Sequence, residues 1–466
     1  MNDTITTTYG WVPEPDGRGT WGILSTCVLT IILCCWTSVA PNLPAQSDSA
    51  FRKLRYKFDL ACMAILGSEF LLMLALGQWS SARCSVKVGY KLVIRWCDVE
   101  ADGSRISTKL DIKTGPLSMR SLPIWGGFWI EPPEIDLLPS FPLDAKQLYI
   151  LAKEGYVEYP ILEEGEIEDK SKADGIARLM TIAQVLWFSL NCAFRFAQGL
   201  FVTTLELTTL SFILVFLVIS YCWYHKPMDI DKPIILKPKI SVAIIRNNLS
   251  RDSAGSKWYE TPLDFLSRDE WFCARFWKYY VQILHYMHIP LFTRPERRPY
   301  DRIPSYFILK VDTQAEIICA PTILLFSSIF LIAWNSTFPS ATEQLLWRIA
   351  SVNILAFGLL AGSLSLYFHR KMFQPEFTEA RAQATLKRKR GSKDRWSRFA
   401  ARLRNIDPEQ DPNLEIPLRA LIPISFFCAC YCVGRGFILT EDLIGLRSLP
   451  ESAYQTVSWS KYVPHW

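Results

Sequence analysis

One segment restricts the fold more than any other. Between Asp169 and Asp231 the chain reads DKSKADGIARLMTIAQVLWFSLNCAFRFAQGLFVTTLELTTLSFILVFLVISYCWYHKPMDID, with apolar runs at Ile176–Phe196 and Leu205–Tyr224 separated by a few residues. Each run is about 20 residues long, the length a helix rising about 1.5 Å per residue needs to cross the roughly 30 Å hydrocarbon layer of a bilayer. The segment reads as a membrane hairpin, with Arg195, Gln198 and Glu206 gathered round its turn.

The rest of the chain repeats the pattern. Half of its 466 residues are hydrophobic, and they are bunched into long runs instead of alternating. Seven runs qualify as spans: Trp21–Val39, Phe58–Trp79, Ile176–Phe196, Leu205–Tyr224, Ile317–Trp334, Leu345–Phe368 and Ala420–Leu439. Trp21, Trp36, Trp79, Trp223, Trp334 and Trp347 fall at or near run ends, where indole rings favour the headgroup layer. The expected fold is an all-α, multi-pass transmembrane bundle of about seven spans, with six to eight possible. Little positive charge precedes the first run, so it reads as a retained signal anchor and not as a cleaved signal peptide. Lipid is thus the first partner.

This divides the chain into a tail with two spans (1–79), a large polar loop (80–175), the hairpin (176–224), a loop with an interfacial helix (225–316), a fifth and sixth span (317–368), a basic loop (369–419), and a last span with its tail (420–466). Counting Lys and Arg near span ends puts the three large loops and the N-terminus in the cytosol and the C-terminus outside. Arg52, Lys53, Arg55 and Lys57, between the first two runs, disagree with that assignment. The interfacial helix is expected after the capping box Ser267-Arg-Asp-Glu270, in WFCARFWKYYVQILHYMH, whose Arg275, Lys278, His285 and His288 argue against a crossing.

Charge and cysteine usage exclude several classes. Lys387–Arg390, Lys393, Arg395, Arg398, Arg402 and Arg404 would suggest nucleic acid in a soluble protein. Beside a span they hold a loop on the cytosolic side or meet anionic lipid, and no nucleic-acid partner is expected. Ten of 13 cysteines lie inside candidate spans, where they pack as small apolar residues, so no disulfide framework follows. The acidic run LEEGEIEDKSKAD reads as a solvated linker, with a divalent-cation site as the sharper alternative. His285 and His288 have ligand spacing but lack a third partner, so no metal is expected. P-loop, GxGxxG, HExxH and DDxxD patterns are absent, and no cofactor is expected.

Few polar residues remain to carry chemistry. Glu69, in LGSEFLL near the middle of its run, would be costly as an ion in lipid, and as a neutral acid it could donate a proton. The structural alternative is a pair with Arg435 or Arg348. Arg435, between Gly434 and Gly436, needs an anion, which a substrate could supply, or it snorkels to the near membrane face. Glu206 is a second candidate acid, but Thr203-Thr-Leu-Glu206 is also a capping box for the helix it opens. Arg195 could pair with Glu206 across the turn or bind a headgroup. Trp187, Phe188 and Trp223 offer faces to a cationic intermediate, though packing explains them equally well. Asp59, Asp312 and Glu316 sit at span entrances, where acids are ordinary.

Three blocks also carry a resemblance: GRGTWGILSTCVLTIILCCWTSVAPNLP at 17–44, the hairpin with its DKSKADG, QGL, TTLEL and KPMDID elements, and the ending LRSLPESAYQTVSWSKYVPHW. Together they resemble a large fungal family of multi-pass membrane proteins of mostly undefined function. The resemblance spans nearly the whole chain and implies residence in the endoplasmic reticulum or another endomembrane. It also implies an association with secondary-metabolite pathways and their other enzymes, since some fungal membrane proteins of this kind cyclise isoprenoid intermediates. It supplies no catalytic motif. Two expectations result. The first is a membrane-embedded enzyme that cyclises or isomerises a lipophilic, meroterpenoid-like substrate, with Glu69 or Glu206 as the acid and Arg435, Arg195, Trp187 and Trp223 around the substrate. The second is a non-catalytic transporter, sensor or receptor-like protein.

Overall fold

The computed structural model describes residues 8–14, 17–83, 126–158, 172–224, 226, 233–250, 257–267, 271–293, 295, 297–372 and 395–459. The chain runs β1 (Thr8–Tyr9), α1 (Thr20–Ser38), α2 (Ala50–Leu66), α3 (Ser68–Arg83), β2 (Phe128–Ile130), β3 (Phe141–Leu143), α4 (Ala145–Lys153), α5 (Lys172–Ala197) and α6 (Thr204–Cys222). It continues with β4 (Ile234–Leu236), α7 (Val242–Leu249), α8 (Phe272–Tyr286), α9 (Thr313–Ile332), α10 (Ala341–Met372), α11 (Arg395–Arg404), α12 (Leu418–Ile444) and β5 (Leu449–Pro450). The protein is a multi-pass helical bundle: α1, α5, α6, α9, α10 and α12 are each long and apolar enough to cross a membrane.

The hairpin places α6 at the centre. α6 packs on α1, α9 and α12, α5 flanks α1, and α10 sits against α9 and α12. Its turn is closed from both sides. Gly199 adopts φ +70°, with Leu200 N–H donating to the Arg195 carbonyl and Gly199 N–H to the Phe196 carbonyl, which ends α5 in a Schellman motif that needs a left-handed residue. The expected capping box then opens α6: Glu206 N–H donates to Thr203 Oγ1 at 3.3 Å, and Thr203 N–H to Glu206 Oε2 at 2.9 Å.

The second sequence run is not one span. Its helix breaks at Gly67, and α2 and α3 meet at a bend of 120°. A Cβ on Gly67 would lie 2.5 Å from the Phe70 ring, so a side chain at this corner would force Phe70 to shift. Both arms return to the same end of the bundle. Asn42, just before α2, takes Ser305 Oγ as acceptor for its N–H at 2.8 Å. Phe292 N–H donates to Asp59 in α2, and Asp312 N–H, at the start of α9, donates to Ser80 near the end of α3. Lys226, just beyond α6, donates to the Ala40 carbonyl, Asn42 Oδ1 and Gln78 Oε1 at 2.5, 3.2 and 3.0 Å. α2–α3 is therefore a re-entrant pair, entering and leaving beside the end of α6 and the start of α9.

This corrects the orientation read from the sequence. With six crossings the two termini share a side. β1 pairs antiparallel with β5, Arg18 forms an ion pair with Glu206, and Gln198 Oε1 accepts from Ser458 N–H at 3.1 Å, all at the hairpin-turn end. The termini lie opposite the large loops instead of on opposite sides of the membrane. The same correction brings Arg52, Lys53, Arg55 and Lys57 to the loop side, so the group that conflicted with the charge count now agrees with it.

The large loops also carry order that the all-α reading left out. β2 pairs with β3 antiparallel and with β4 in parallel, and α4 and α7 cover this three-stranded sheet around Phe128, Ile130, Phe141, Leu143, Leu151 and Val242. The first two loops thus form one small subdomain into which the hairpin is inserted, and its strands of three residues are too short to show alternation in sequence. The third loop joins them through Glu409, which pairs with Arg298 at 3.0 Å and Lys257 at 3.3 Å. The helix expected to be interfacial is α8, which is not among the helices long and apolar enough to span and which packs against α12 through Tyr280 and Ser425. Its N-cap is Trp271 without a side-chain cap, and Arg268–Glu270 of the expected capping box lie outside the described residues, as do Glu163–Asp169 of the acidic run.

Candidate functional site

Glu69 sits in the first turn of α3, at the tip of the re-entrant pair, and is buried. Tyr431, at the midpoint of α12, donates its phenol hydrogen to Glu69 Oε1. Glu69 Oε2 meets no donor in hydrogen-bond geometry. Tyr431 is held between Phe357, with ring centroids 4.5 Å apart, and Phe70, 6.1 Å away edge-on. Phe70 in turn stacks on Trp277 of α8 at 5.7 Å. The corner of the re-entrant pair, the middle of α12 and the interfacial helix thus converge on one carboxyl.

Arg435, one turn beyond Tyr431, faces the same region and interacts electrostatically with Glu69 and Asp442. It is only 2% exposed, yet none of its Nε, Nη1 and Nη2 atoms has a hydrogen-bond partner. The guanidinium lies instead among the rings of Phe212, Phe326 and Phe330, at 5.1, 5.3 and 5.4 Å from their centroids. Cation–π attraction of this kind offsets part of the burial, but a buried guanidinium ordinarily finds oxygen acceptors as well. Asp442, two turns further along α12, is buried beside Thr204 and Thr208 of α6. Gly434 is what lets α12 lie this close to α10: a Cβ there would come within 2.8 Å of Asn353 Nδ2, which donates to the Cys430 carbonyl at 2.7 Å. Gly436, on the other side of Arg435, faces open space.

The other candidates have structural partners. Both Glu206 oxygens are engaged, one by Arg18 and the other by the Thr203 backbone and hydroxyl. Arg195 is 1% exposed and is not hydrogen-bonded to Glu206. It donates instead to the carbonyls of Gln455, Phe201, Ser452 and Ala453 at 2.7–3.1 Å, clamping the C-terminal tail to the hairpin turn. Trp187 is half exposed and stacks on Trp459 at 5.4 Å, away from the buried acid. Trp223 is fully buried under the Lys226 ammonium, 4.7 Å from its ring. Asp312 caps α9, as its position suggested, accepting from Ala315 N–H at 2.9 Å. The structure therefore brings Glu69 and Arg435 together and leaves Glu206, Arg195, Trp187 and Trp223 outside their cluster.

Tyr431, Phe357 and the phenylalanine cage escaped the sequence reading. Tyr431 did carry a signal, being the hydroxyl one helical turn from Arg435 in an apolar run. Lys226 escaped as well; burial, with Arg178 as a smaller influence, pushes its amine well below the ordinary lysine value. A separate cavity of about 50 Å³ lies between α8 and the 405–414 turn, lined by Lys278, Tyr279, Tyr306, Phe307, Asn405 and Asp407. It has room for a water or two and not for a lipophilic substrate. Among the described residues no group of three His, Cys, Asp or Glu side chains is placed to hold a metal ion.

A polytopic membrane protein with ionisable groups buried near one another inside its helical bundle is the class these observations define. Within it, the chain belongs to the family described as Family of unknown function (DUF8562), whose model matches residues 2–250 and 313–466. No curated protein and no solved structure matches the chain.

Proposed function

We propose that the protein is a membrane-embedded enzyme that uses Glu69 as a general acid to cyclise or isomerise a lipophilic, oxygen-bearing substrate. The observation that carries this reading is the buried guanidinium of Arg435, which lacks an oxygen partner and sits beside the only carboxyl that receives a phenol hydrogen bond at mid-depth among the described residues. A substrate entering sideways from the bilayer would place its oxygen on Arg435, where planar, charge-assisted donors hold it. Protonated Glu69 then gives its proton to an epoxide or alkene, and the Tyr431 hydroxyl stabilises the carboxylate left behind. Phe70 and Phe357 offer faces to the carbocation formed. Return of a proton from that cation to Glu69 closes the cycle with no atom gained or lost and no change of oxidation state. Fungal secondary metabolism, an isoprenoid or meroterpenoid substrate, companion pathway enzymes and an endomembrane location follow from the sequence resemblance alone.

The test is expression in a host without endogenous cyclases, supplied with a polyprenylated epoxide. Wild type is expected to form an isomer of unchanged mass, and Glu69→Gln to lose it by about 10²–10⁴-fold. Product that survives the substitution removes Glu69 as the acid.

One observation favours a second reading. A broken, re-entrant helix with a polar tip at mid-depth is how many transporters build a substrate or proton site. A proton-linked transporter would show uptake driven by a pH gradient and abolished in Glu69→Gln, with substrate recovered unchanged.

A further inference from the structure

α11 has no part in the site above, and its surface is unusual. Its sequence, RWSRFAARLR, carries four arginines, while Trp396, Phe399 and Leu403 are 77%, 55% and 37% exposed. Positions 396, 399 and 403 fall on one face of a helix turning about 100° per residue. A soluble surface rarely presents tryptophan, phenylalanine and leucine together on one short helix. Arg402 is exposed beside them.

The location of the helix decides what meets that face. Tyr279 of α8 donates to the Leu403 carbonyl at 2.9 Å, and Ile416 N–H donates to the Arg404 carbonyl at 2.9 Å, two residues before α12 begins. α12 is a spanning helix, and Tyr280 of α8 shares a hydrogen bond with its Ser425 at 3.0 Å. α11 is therefore tied to the end of the bundle where α12 enters the bilayer, on the side that also holds the basic 52–57 segment. A basic helix with an exposed aromatic stripe, held at the membrane plane, complements a negatively charged leaflet in both charge and depth.

We infer that α11 lies in the headgroup layer and binds anionic phospholipid, its apolar face inserted and Arg402 on the phosphates. Hydrogen exchange of residues 395–404 in the full-length protein tests this, comparing nanodiscs of phosphatidylcholine with nanodiscs that also contain phosphatidylserine. Exchange is expected to slow about tenfold in the anionic discs. The protection should shrink in high salt and disappear in both Arg402→Glu and Trp396→Ala. These positions are exposed, so neither change threatens the fold, and the wild-type comparison between lipids needs no variant at all. Equal exchange in the two discs overturns the inference. Protection lost in Trp396→Ala but kept in Arg402→Glu and in high salt shows insertion without charge recognition, and overturns the anionic assignment. Stronger protection from an RNA oligomer in neutral discs than from phosphatidylserine would make the partner nucleic acid instead.

Discussion

Arg195 and Arg435 are both arginines buried inside the bundle, and they serve opposite ends. Arg195 spends its guanidinium on four backbone carbonyls, so truncating it leaves buried acceptors unpaired and releases the C-terminal tail. Arg195→Met is expected to cost about 2–5 kcal/mol and to expose residues 452–458 to protease, both readable on the purified protein by thermal melting and limited proteolysis. Arg435 makes no hydrogen bond that a methionine would lose. Arg435→Met should lower the melting temperature less than Arg195→Met, because only its attraction to Glu69, Asp442 and the phenylalanine rings is lost and no hydrogen bond is broken, while abolishing turnover or transport. A fall in stability matching that of Arg195→Met would make Arg435 a structural residue. Lys226 sets a third expectation. Its folded value lies below its unfolded one, so between the two the unfolded chain binds more protons and stability rises with pH. Melting measured as the pH is raised toward the ordinary lysine value should therefore rise, and Lys226→Met should flatten that slope.

At the level of elements, the re-entrant pair depends on close backbone approach. A Cβ on Gly77 of α3 would lie 2.5 Å from the Leu309 carbonyl oxygen, a main-chain atom that cannot rotate away. Gly77→Ala is expected to destabilise the protein by roughly 1–3 kcal/mol. Gly436→Ala, on the open face of α12, serves as the control and should stabilise slightly if it changes anything, since alanine favours the helix. Equal melting of the two variants would mean that α3 is not held against the 306–310 segment. The break at Gly67 also explains how one polar residue reaches mid-depth. A half-helix begins there, its tip facing other helices and not lipid, and irregular backbone is tolerated at that depth only when it is enclosed by protein.

For the whole molecule, the expected outcome is a topology. Reporters fused to the N- and C-termini should fall on the same side of the membrane, and a reporter inserted in the 369–394 loop on the other, as read by protease protection of intact microsomes. Termini on opposite sides would show that α2–α3 crosses, and would undo the re-entrant assignment. Much of the architecture was legible beforehand: the six spanning segments, the hairpin with its Thr203–Glu206 box, and the Asp312 cap. Each is a local property. About twenty consecutive apolar residues decide by their own solvation whether a helix is stable in lipid, and a cap is decided within four residues. What the tertiary structure alone decided is where that local order leads. Whether the run around Glu69 crosses or turns back depends on Asn42, Gln78 and Ser80 meeting Lys226, Ser305 and Asp312. Whether Glu69 is paired depends on Tyr431, 362 positions away. The short strands join only because the hairpin between them returns to the side it left. Burial in lipid can be read along a chain. Which polar groups then find one another is set by helix packing, through contacts that no local pattern records.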